Sequence, residues 1–361
     1  MKHVHLFPDS IFAESYIEFV NKNFDIKNHL FYIVTEESEK YVCLDKYTNV
    51  KTIGRNIKEG FSLLKNVERK ASRLYIHSMT LGVLIVTVLL GMLVKKWNTT
   101  LIFWGGDLEA AIELKNKTKK NGKEHVKSTL NSLLVKTSNV ICTLTKGEYE
   151  AVERNFNIKK EYKKAVYINP LKIKTENQII KQEIECNKVI NVQIGNSATK
   201  TNHYEETIYA LERYKDEKMK IFCILSYGDE KYAEEITQLG KSVFGDKFIP
   251  CRTMKSADDY AKFTKDMDIL FMNNRRQQGL GSIYAFLALG KKVFLRSDSP
   301  TWNYMVQDCG LQIFDAISIK NINFNSFVSM EAKDRLDNCR IASYYFYSSE
   351  YLCEVWRVIF D

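Results

Sequence analysis

Two arginines directly before a glycine-rich turn give the strongest chemical signal in this sequence. The run from Arg275 to Ser282 reads Arg-Arg-Gln-Gln-Gly-Leu-Gly-Ser and leads from a strand-like segment into an apolar helical segment. Glycines let a backbone approach a ligand closely, and the amides at a helix start carry partial positive charge. Arginine adds fixed charge and paired donors. The run therefore predicts a diphosphate site; the alternative is an ordinary strand–helix turn with a solvent-exposed arginine pair.

Two more loops of small polar residues follow strand-like runs in the same half. Gly195-Asn196-Ser197 follows the first of these runs, and Ser226-Tyr227-Gly228-Asp229 follows the second. Their polar groups could face a sugar or a phosphate, and Tyr227 could stack on a base. Asn202 could instead be a helix N-cap, and Tyr227 an ordinary core or surface tyrosine.

A carboxylate beside two glycines marks the first half of the chain. Trp104-Gly105-Gly106-Asp107 follows a strand-like run and opens a helix. Asp107 could be a general base with room for a substrate hydroxyl, or simply a helix N-cap. His77 and Asp9 also fall at strand ends, so we expect all three on one edge of a sheet; His77 could instead be a satisfied core histidine.

Known motifs for metals and nucleotides do not match. The glycine run lacks the Gly-Lys-Ser/Thr of a Walker A sequence and differs from the dinucleotide-binding fingerprint. No two of the eight cysteines lie within five residues of each other, and the six histidines show no paired-ligand spacing. We therefore expect no metal site, and reduced cysteines in a cytosolic protein.

The elements that must position these loops alternate along the chain. Such alternation predicts mostly parallel α/β sheets covered on both faces, with ligands at the carboxyl ends of the strands. The polar stretch 169–187 is the predicted linker between two such domains. Strands are predicted at 3–7, 30–34, 72–77, 100–104, 139–144, 165–168, 188–194, 220–225, 268–272 and 292–295, and helices at 10–22, 56–69, 80–94, 124–137, 146–155, 204–214, 230–242 and 283–289, with a helical tail over 327–361.

Composition agrees with a two-domain globular protein. The chain has 361 residues, 45% hydrophobic and 27% charged, with only 4 prolines, which excludes wholesale disorder and collagen-like repeats. The formal net charge of +9 favours an anionic partner. Nucleic acid is a weak candidate, because the lysine run over 115–127 lacks interleaved aromatics.

One apolar segment, 74–94, raises the question of a membrane. Its apolar centre, 79–94, is shorter than the roughly 20 residues of a usual span. A buried strand and helix, a helix half-sunk in the membrane interface, and a true span are the alternatives. A span would split the α/β pattern, so we reject it. The first nine residues also lack the apolar core of a signal peptide.

Several of these motifs together resemble glycosyltransferase family 56. The resemblance rests on Gln193–Ser197 with Asn202-His203, Ser226–Gly228, Arg276–Gly281, Pro300–Trp302 and Trp104–Leu108. It covers most of the chain in order and is densest from 189 to 305. The family's second-domain loop usually reads Met-Gly-Tyr-Pro, whereas this chain has Ser226-Tyr227-Gly228-Asp229.

The resemblance implies an α/β protein of GT-B fold, with two Rossmann-like domains facing across a cleft and no metal or other cofactor. Residues 1–170 would bind the acceptor and 188–339 the nucleotide sugar, and a C-terminal helix within 340–361 could pack back on the first domain. The donor would be TDP-4-acetamido-4,6-dideoxy-D-galactose. The acceptor would be an undecaprenyl-diphosphate-linked saccharide, lipid II of enterobacterial common antigen or a related polysaccharide intermediate, at the cytoplasmic face of the inner membrane.

The expected roles of residues follow from the motifs and the resemblance together. Arg276 would neutralise the leaving diphosphate, and Asp107, or else His77, would act as the base. Helix 80–94 and the lysines would hold the protein peripherally on the membrane. Donor contacts would come from Gly195, Asn196, Ser197, Tyr227, Arg276, Gln277, Gln278, Gly279, Gly281 and Ser282, and acceptor contacts from Asp9, Trp104, Gly105 and Gly106. A different nucleotide-sugar donor, or a non-catalytic membrane-associated nucleotide- or carbohydrate-binding protein, are the alternatives.

Overall fold

The computed structural model describes residues 2–35, 42, 44–67, 72–82, 84–169, 171 and 188–361. The chain forms two compact units, Met1–Ile168 together with Ser349–Asp361, and Asn169–Ser348. Most of the predicted linker 169–187 lies outside the described residues, as do Cys43 and Cys186. The six cysteines of the described part are free.

The first unit is built on a parallel sheet of seven strands. Its spatial order is β3-β2-β1-β4-β5-β6-β7. The strands β1 and β4 therefore lie in the interior of the sheet, and β3 and β7 form its edges. The apolar residues of these strands meet the covering helices in one continuous core. The strands are β1 Lys2–Pro8, β2 His29–Thr35, β3 Val50–Gly54, β4 Ser72–His77, β5 Asn98–Ile102, β6 Val140–Thr143 and β7 Glu161–Lys164.

Six helices follow these strands in the first unit. Two of them begin with a reciprocal capping box, in which the side chains of Asn121 and Glu124, and of Thr145 and Glu148, satisfy each other's backbone amides. The helices are α1 Ile11–Asn23, α2 Ile57–Asn66, α3 Leu84–Leu90, α4 Gly106–Asn116, α5 Gly122–Thr137 and α6 Lys146–Phe156, and a π-helical turn over Gly91–Lys95 continues α3.

The second unit repeats the plan with a six-stranded parallel sheet. Its order is β10-β9-β8-β11-β12-β13, again with early strands at the centre. Its elements are β8 Ile190–Ile194, β9 Met219–Ile224, β10 Phe248–Cys251, β11 Ile269–Met272, β12 Lys292–Leu295 and β13 Phe314–Asp315, with α7 Tyr204–Leu211, α8 Glu230–Phe244, α9 Ala257–Asp266, α10 Leu280–Ala288, α11 Pro300–Trp302, α12 Phe324–Val328 and α13 Ala332–Tyr347.

The last helix, α14 (Ser349–Phe360), belongs to the first unit. Trp356 is fully buried there, and its indole Nε1 donates to the backbone oxygen of Val166 at 2.8 Å. Phe360 packs on the rings of His3 and His29. The C-terminal helix therefore completes the core of the N-terminal unit.

The sequence-based elements are mostly confirmed, with one clear error. The strand predicted at 165–168 is wrong; the outermost strand is β7, at Glu161–Lys164. The apolar run Val166-Tyr167-Ile168 suggested a strand because it is hydrophobic, but its burial comes from packing under α14 rather than from sheet pairing. The short strands β3, β10 and β13 and the ten-residue helix α9 were not predicted.

The apolar segment forms α3 and the π turn that continues it, over 84–95, close to the helix predicted at 80–94. Leu84, Ile85 and Val88 are buried in the core of the first unit, whereas Leu93 and Val94 on the following turn are exposed. Within the described ranges, no helix is both long and apolar enough to cross a membrane.

Candidate functional site

Loops that follow three strands of the second unit meet at the carboxyl edge of its sheet. Asn196 follows β8, Tyr227 follows β9, and Gln278 follows β11. The Asn196 amide Nδ2 donates to the Tyr227 hydroxyl at 3.0 Å, and the Gln278 Nε2 donates to the Asn196 Oδ1 at 2.9 Å. The parallel sheet thus brings together side chains that lie more than 80 residues apart.

Gln278 is the centre of this polar network. Its Oε1 accepts from the hydroxyl of Thr201 at 2.7 Å, and its Nε2 also lies 3.3 Å from the hydroxyl oxygens of Ser197 and Thr199. Every polar atom of its side chain is therefore engaged, which fixes the orientation of the loop. Thr201 was not among the predicted site residues.

The two neighbouring arginines point to different partners. Arg276 is half-buried, and its Nη2 donates to the Thr201 hydroxyl at 3.3 Å, so its charge lies beside the polar network. Arg275 is exposed and forms an ion pair with Glu206 at 3.5 Å. Only Arg276 of the pair is placed to add charge to the network.

The start of α10 presents its first-turn amides next to this network. Gly279 adopts φ +66° at the N-cap position, and a Cβ there would lie 2.5 Å from Met272 and within 3.3 Å of Asn196. No side chain caps this helix start. The Ser282 hydroxyl is hydrogen-bonded to Tyr260 at 2.7 Å, which holds the first turn in place. Backbone amides in this position suit an anion.

Gly195 lets the first loop turn tightly over α7. Its φ is +58°, and a Cβ at this position would lie 2.3 Å from the hydroxyl of buried Tyr204. Asn202 is buried and bonds within the loop, its Nδ2 donating to the Ser197 backbone oxygen at 2.8 Å. Asn202 is therefore a structural residue of the loop, but it is not the helix N-cap given as the alternative above, because His203 holds the N-cap position of α7.

An arginine that directly follows β12 was missed. Arg296 directly follows β12, and its guanidinium binds both carboxylate oxygens of Asp298 at 2.9 and 2.8 Å, holding the pKa of that carboxyl below its usual value. It also lies 3.6 Å from Glu206. The strand-end rule that identified the other loops would have found it, but no glycine marks this loop.

In the first unit, Asp107 links the loops that follow β4 and β5. Its Oδ2 accepts from the Met79 amide at 2.9 Å and its Oδ1 from the Trp104 amide at 2.8 Å. Burial raises the pKa of this carboxyl, and the hydrogen bonds from Met79, Trp104 and the Ser78 side chain oppose the rise. With the Leu108 amide as a fourth donor, the carboxylate anchors the start of α4, and its raised pKa keeps it the candidate base.

The other predicted acceptor-side residues surround this carboxylate in sequence and on the sheet edge. Gly105 adopts φ 84° before α4, and Gly106 is exposed at the helix start. Trp104 is half-buried and packs edge-on against Phe12. Asp9 follows β1, and its amide donates to the Val34 backbone oxygen.

His77 is a core residue rather than an edge residue. It is completely buried, its Nε2 is hydrogen-bonded to His5 at 3.0 Å and its Nδ1 to Tyr167 at 2.5 Å. Burial lowers its pKa well below the ordinary histidine value. With both ring nitrogens engaged, the imidazole has no atom to offer an acceptor, and the proposal below keeps Asp107 alone as the base.

Glu148 is a second buried carboxyl that sequence reasoning missed. It caps α6 through Thr145, whose amide and hydroxyl both donate to its Oε2 at 3.1 Å. Burial raises its pKa to about 7, and the charge of Asp107 adds to the rise. The Thr-x-x-Glu spacing predicts the cap, but nothing in the sequence indicates the burial. Among the described residues, no group of three or more His, Cys, Asp or Glu side chains is placed to hold a metal ion.

Comparison with known proteins gives one family and a common fold. The sequence model of 4-alpha-L-fucosyltransferase glycosyl transferase group 56 matches residues 12–360. HepE from Anabaena, solved with UDP and glucose, superposes with a TM-score of 0.72 at 9% identity, covering 100% of this chain and 99% of that one.

Trehalose enzymes share the same architecture. A UDP-forming α,α-trehalose-phosphate synthase from Burkholderia xenovorans gives a TM-score of 0.66 at 11% identity, with 100% of this chain and 98% of that one covered. The N-terminal domain of trehalose-6-phosphate phosphatase from Candida albicans gives 0.63 at 11%, with 99% and 97% covered. At such identities the likeness shows the fold alone, which is GT-B.

Proposed function

Because the chain belongs to glycosyltransferase group 56, the 4-alpha-L-fucosyltransferase family, and is therefore a glycosyltransferase, we propose that it moves 4-acetamido-4,6-dideoxy-D-galactose from its TDP donor to an undecaprenyl-diphosphate-linked saccharide. In this reaction the oxygen of an acceptor hydroxyl forms a bond to the anomeric carbon of the sugar. The bond from that carbon to TDP breaks, and the hydroxyl proton goes to a base.

The donor is assigned to the polar network of the second unit. Tyr227 is half-exposed beside Asn196, so its ring is available to stack on a base. Arg276 and the first-turn amides of α10 together would neutralise the departing diphosphate. The network formed by Asn196, Tyr227 and Gln278 is the observation that carries this assignment, because it joins three strand-end loops beside one arginine.

The acceptor is assigned to the sheet edge of the first unit. Asp107, held in place by the Met79 and Trp104 amides, would accept the hydroxyl proton. Asp9, Trp104, Gly105 and Gly106 would contact the acceptor sugar. The raised pKa of Asp107 suits a base that must hold a proton during turnover.

A membrane surface is the proposed partner for one face of the first unit. We define the apolar face as the exposed apolar side chains Phe61, Val86, Leu90, Leu93, Val94 and Leu133 of α2, α3, the π turn and α5, elements that are in contact through α3. Leu93 is 70% exposed and Val94 67%. The Thr137 hydroxyl meets the Met92 sulfur at 3.1 Å, which joins the π turn to α5.

The charge around this face favours an anionic surface. Lys58, Lys65, Lys96 and Lys136 are exposed on the same elements. Each basic group near an anionic bilayer is worth about 1 kcal/mol, and exposed apolar side chains add insertion into the interface. A peripheral position on the inner membrane would bring the enzyme to a lipid-linked acceptor.

Two experiments test the proposal. The purified protein is incubated with TDP-4-acetamido-4,6-dideoxy-D-galactose and a lipid-linked acceptor saccharide, and mass spectrometry reads the product; no transfer from this donor would contradict it. Flotation with vesicles of anionic lipid tests the apolar face: Leu93→Glu should lose binding, while Val358→Glu, an equally exposed apolar site on α14, should keep it.

A UDP-sugar donor is the second candidate. It is favoured by the fold shared with HepE, which was solved with UDP-glucose. A thermal-shift panel of TDP, UDP, GDP and ADP separates the two, because a ligand that binds only the folded state raises the melting temperature.

A further inference from the structure

Three imidazoles are hydrogen-bonded in series through the core of the first unit. His29 on β2 meets His5 on β1, with 3.1 Å between Nδ1 and Nε2. His5 meets His77 on β4 at 3.0 Å, and His77 meets the hydroxyl of Tyr167 at 2.5 Å. This histidine chain, His29–His5–His77–Tyr167, crosses three adjacent strands, reaches the last residue of β4 at His77, and ends at Tyr167.

The chain is made of neutral rings. Burial lowers the pKa of His5 and His77 well below the usual value, and that of His29 to about 3. A neutral imidazole has one donor and one acceptor nitrogen, so rings can be joined end to end with every nitrogen satisfied. A buried polar atom that loses its hydrogen bond costs free energy. Each member of the chain therefore holds its neighbours at hydrogen-bonding distance.

The chain ends in contact with Trp104 and is linked through the backbone after His77 to Asp107, the two side chains assigned to the acceptor. Tyr167 packs edge-on against Trp104, with 5.7 Å between ring centroids. His77 is followed by Ser78, a non-glycine residue at φ 77°, and then by Met79, whose amide donates to Asp107. A left-handed serine is strained and is held only where its surroundings determine it.

We propose that His77 and Tyr167 are positioning residues for the acceptor site: their hydrogen bonds fix the end of β4, and through it Asp107, while the Tyr167 ring fixes Trp104. This role rests on the proposed function, since it takes Asp107 and Trp104 as the acceptor-side residues. A chain of apolar residues would fill the same core volume without fixing the direction of the β4 terminus.

The test compares two tyrosines that each lose one hydrogen bond to a histidine. Tyr167→Phe removes the bond at the sheet edge. Tyr75→Phe removes an equivalent bond to His3, at 3.0 Å, deeper along β4. Steady-state kinetics are measured with the TDP-sugar and with a farnesyl-diphosphate-linked form of the acceptor, together with slow donor hydrolysis by water.

Tyr167→Phe should lower kcat/KM for the acceptor about tenfold, since small misplacements of positioned groups have effects of this order. Donor hydrolysis and the TDP-induced thermal shift should not change, because those depend on the second unit. Tyr75→Phe should leave all three readings at wild-type values. His77→Gln, which retains a donor and an acceptor, should restore more acceptor activity than His77→Leu.

The possible outcomes distinguish a failure of the positioning role from a failure of the proposed acceptor site. Unchanged acceptor kinetics in Tyr167→Phe, with Asp107→Asn and Trp104→Ala both impaired, would overturn the positioning role alone. Unchanged kinetics in Asp107→Asn and Trp104→Ala would overturn the acceptor site itself. If His77→Leu does not fold, the two tyrosine variants still decide, because each loses a single hydroxyl.

Discussion

The Oδ2 atom of Asp107, at the start of α4, accepts a hydrogen bond from the backbone amide of Met79, beyond the end of β4, over 2.9 Å. One carboxylate thus ties together two loops that 28 residues separate in the sequence. Because a second backbone amide, that of Trp104, holds the other oxygen, the carboxylate cannot rotate. A carboxylate that is held in one orientation and whose pKa is raised by burial is suited to receive a proton from a bound hydroxyl.

Asp107→Asn should reduce turnover with the acceptor by about two to four orders of magnitude, the usual range for loss of a general base. The asparagine keeps the side-chain volume, but its NH2 group faces one of the two backbone amides, so stability should fall by about 1–2 kcal/mol. Acceptor kinetics and thermal melting measure the two effects. Glu109→Gln, an exposed carboxyl two residues further on, is the control and should match the wild type.

Arg276→Ala should lower kcat by several powers of ten, because stabilisation of a leaving diphosphate is lost. The fold should persist, because the structure gives up only two long hydrogen bonds, 3.3 Å to the Thr201 hydroxyl and 3.2 Å to the Gln277 backbone oxygen. Arg275→Ala is the matched control: that guanidinium pairs with Glu206 instead and should cost little activity. Single-turnover kinetics with the TDP-sugar measure both. Equal losses in the two variants would remove the distinction between the arginines.

The sequence was sufficient to predict which strand-end loops converge, but not which residues they contact. Asn196, Tyr227 and Gln278 could be predicted to converge because each follows a strand of a parallel sheet, and parallel strands present their carboxyl ends at one edge. Their hydrogen bonds to one another depend on the strand order β9-β8-β11, which alternation along the chain does not reveal. Arg296 was missed because no glycine stands beside it.

The same limit explains the error at His77. A histidine at a strand end is equally compatible with an exposed site and with a core position. The choice depends on whether another polar ring lies on the adjacent strand at the same level. His5 on β1 and Tyr167, more than 90 residues away from β1 in sequence, supply those partners, and only the three-dimensional arrangement brings them together.

Glu148→Gln should stabilise the protein at alkaline pH. The folded-state pKa of Glu148 is raised to about 7 against an ordinary 4.5, so its charged form is disfavoured by burial, and wild-type stability rises as the pH falls through that window. Glutamine is always neutral, and its oxygen can still accept from Thr145. The variant should therefore gain on the order of 2 kcal/mol at pH 8, and the gain should vanish near pH 4.

Chemical denaturation at several pH values measures this effect. Glu150→Gln on the same helix is exposed and should show no comparable pH-dependent gain. A constant difference between Glu148→Gln and wild type from pH 4 to pH 8 would mean that Glu148 titrates alike in the folded and unfolded states, contrary to its burial.

Trp356→Ala should destabilise the first unit by about 3–5 kcal/mol, the usual cost of removing a fully buried large side chain. The indole packs on Tyr16 and Tyr167 and donates to the Val166 oxygen, so the variant loses both packing and a buried hydrogen bond. Trp356→Phe keeps part of the packing, and its stability should fall between those of the alanine variant and the wild type.

Because the two units need not unfold together, denaturation should be followed with TDP present, which protects only the unit that binds it. If Trp356→Ala lowers the stability only of the transition that TDP does not shift, α14 stabilises the first unit. The control is Arg357→Ala, at the exposed neighbouring residue, which should leave both transitions unchanged. An equal shift of both transitions by Trp356→Ala would instead show that the C-terminal helix stabilises the whole chain.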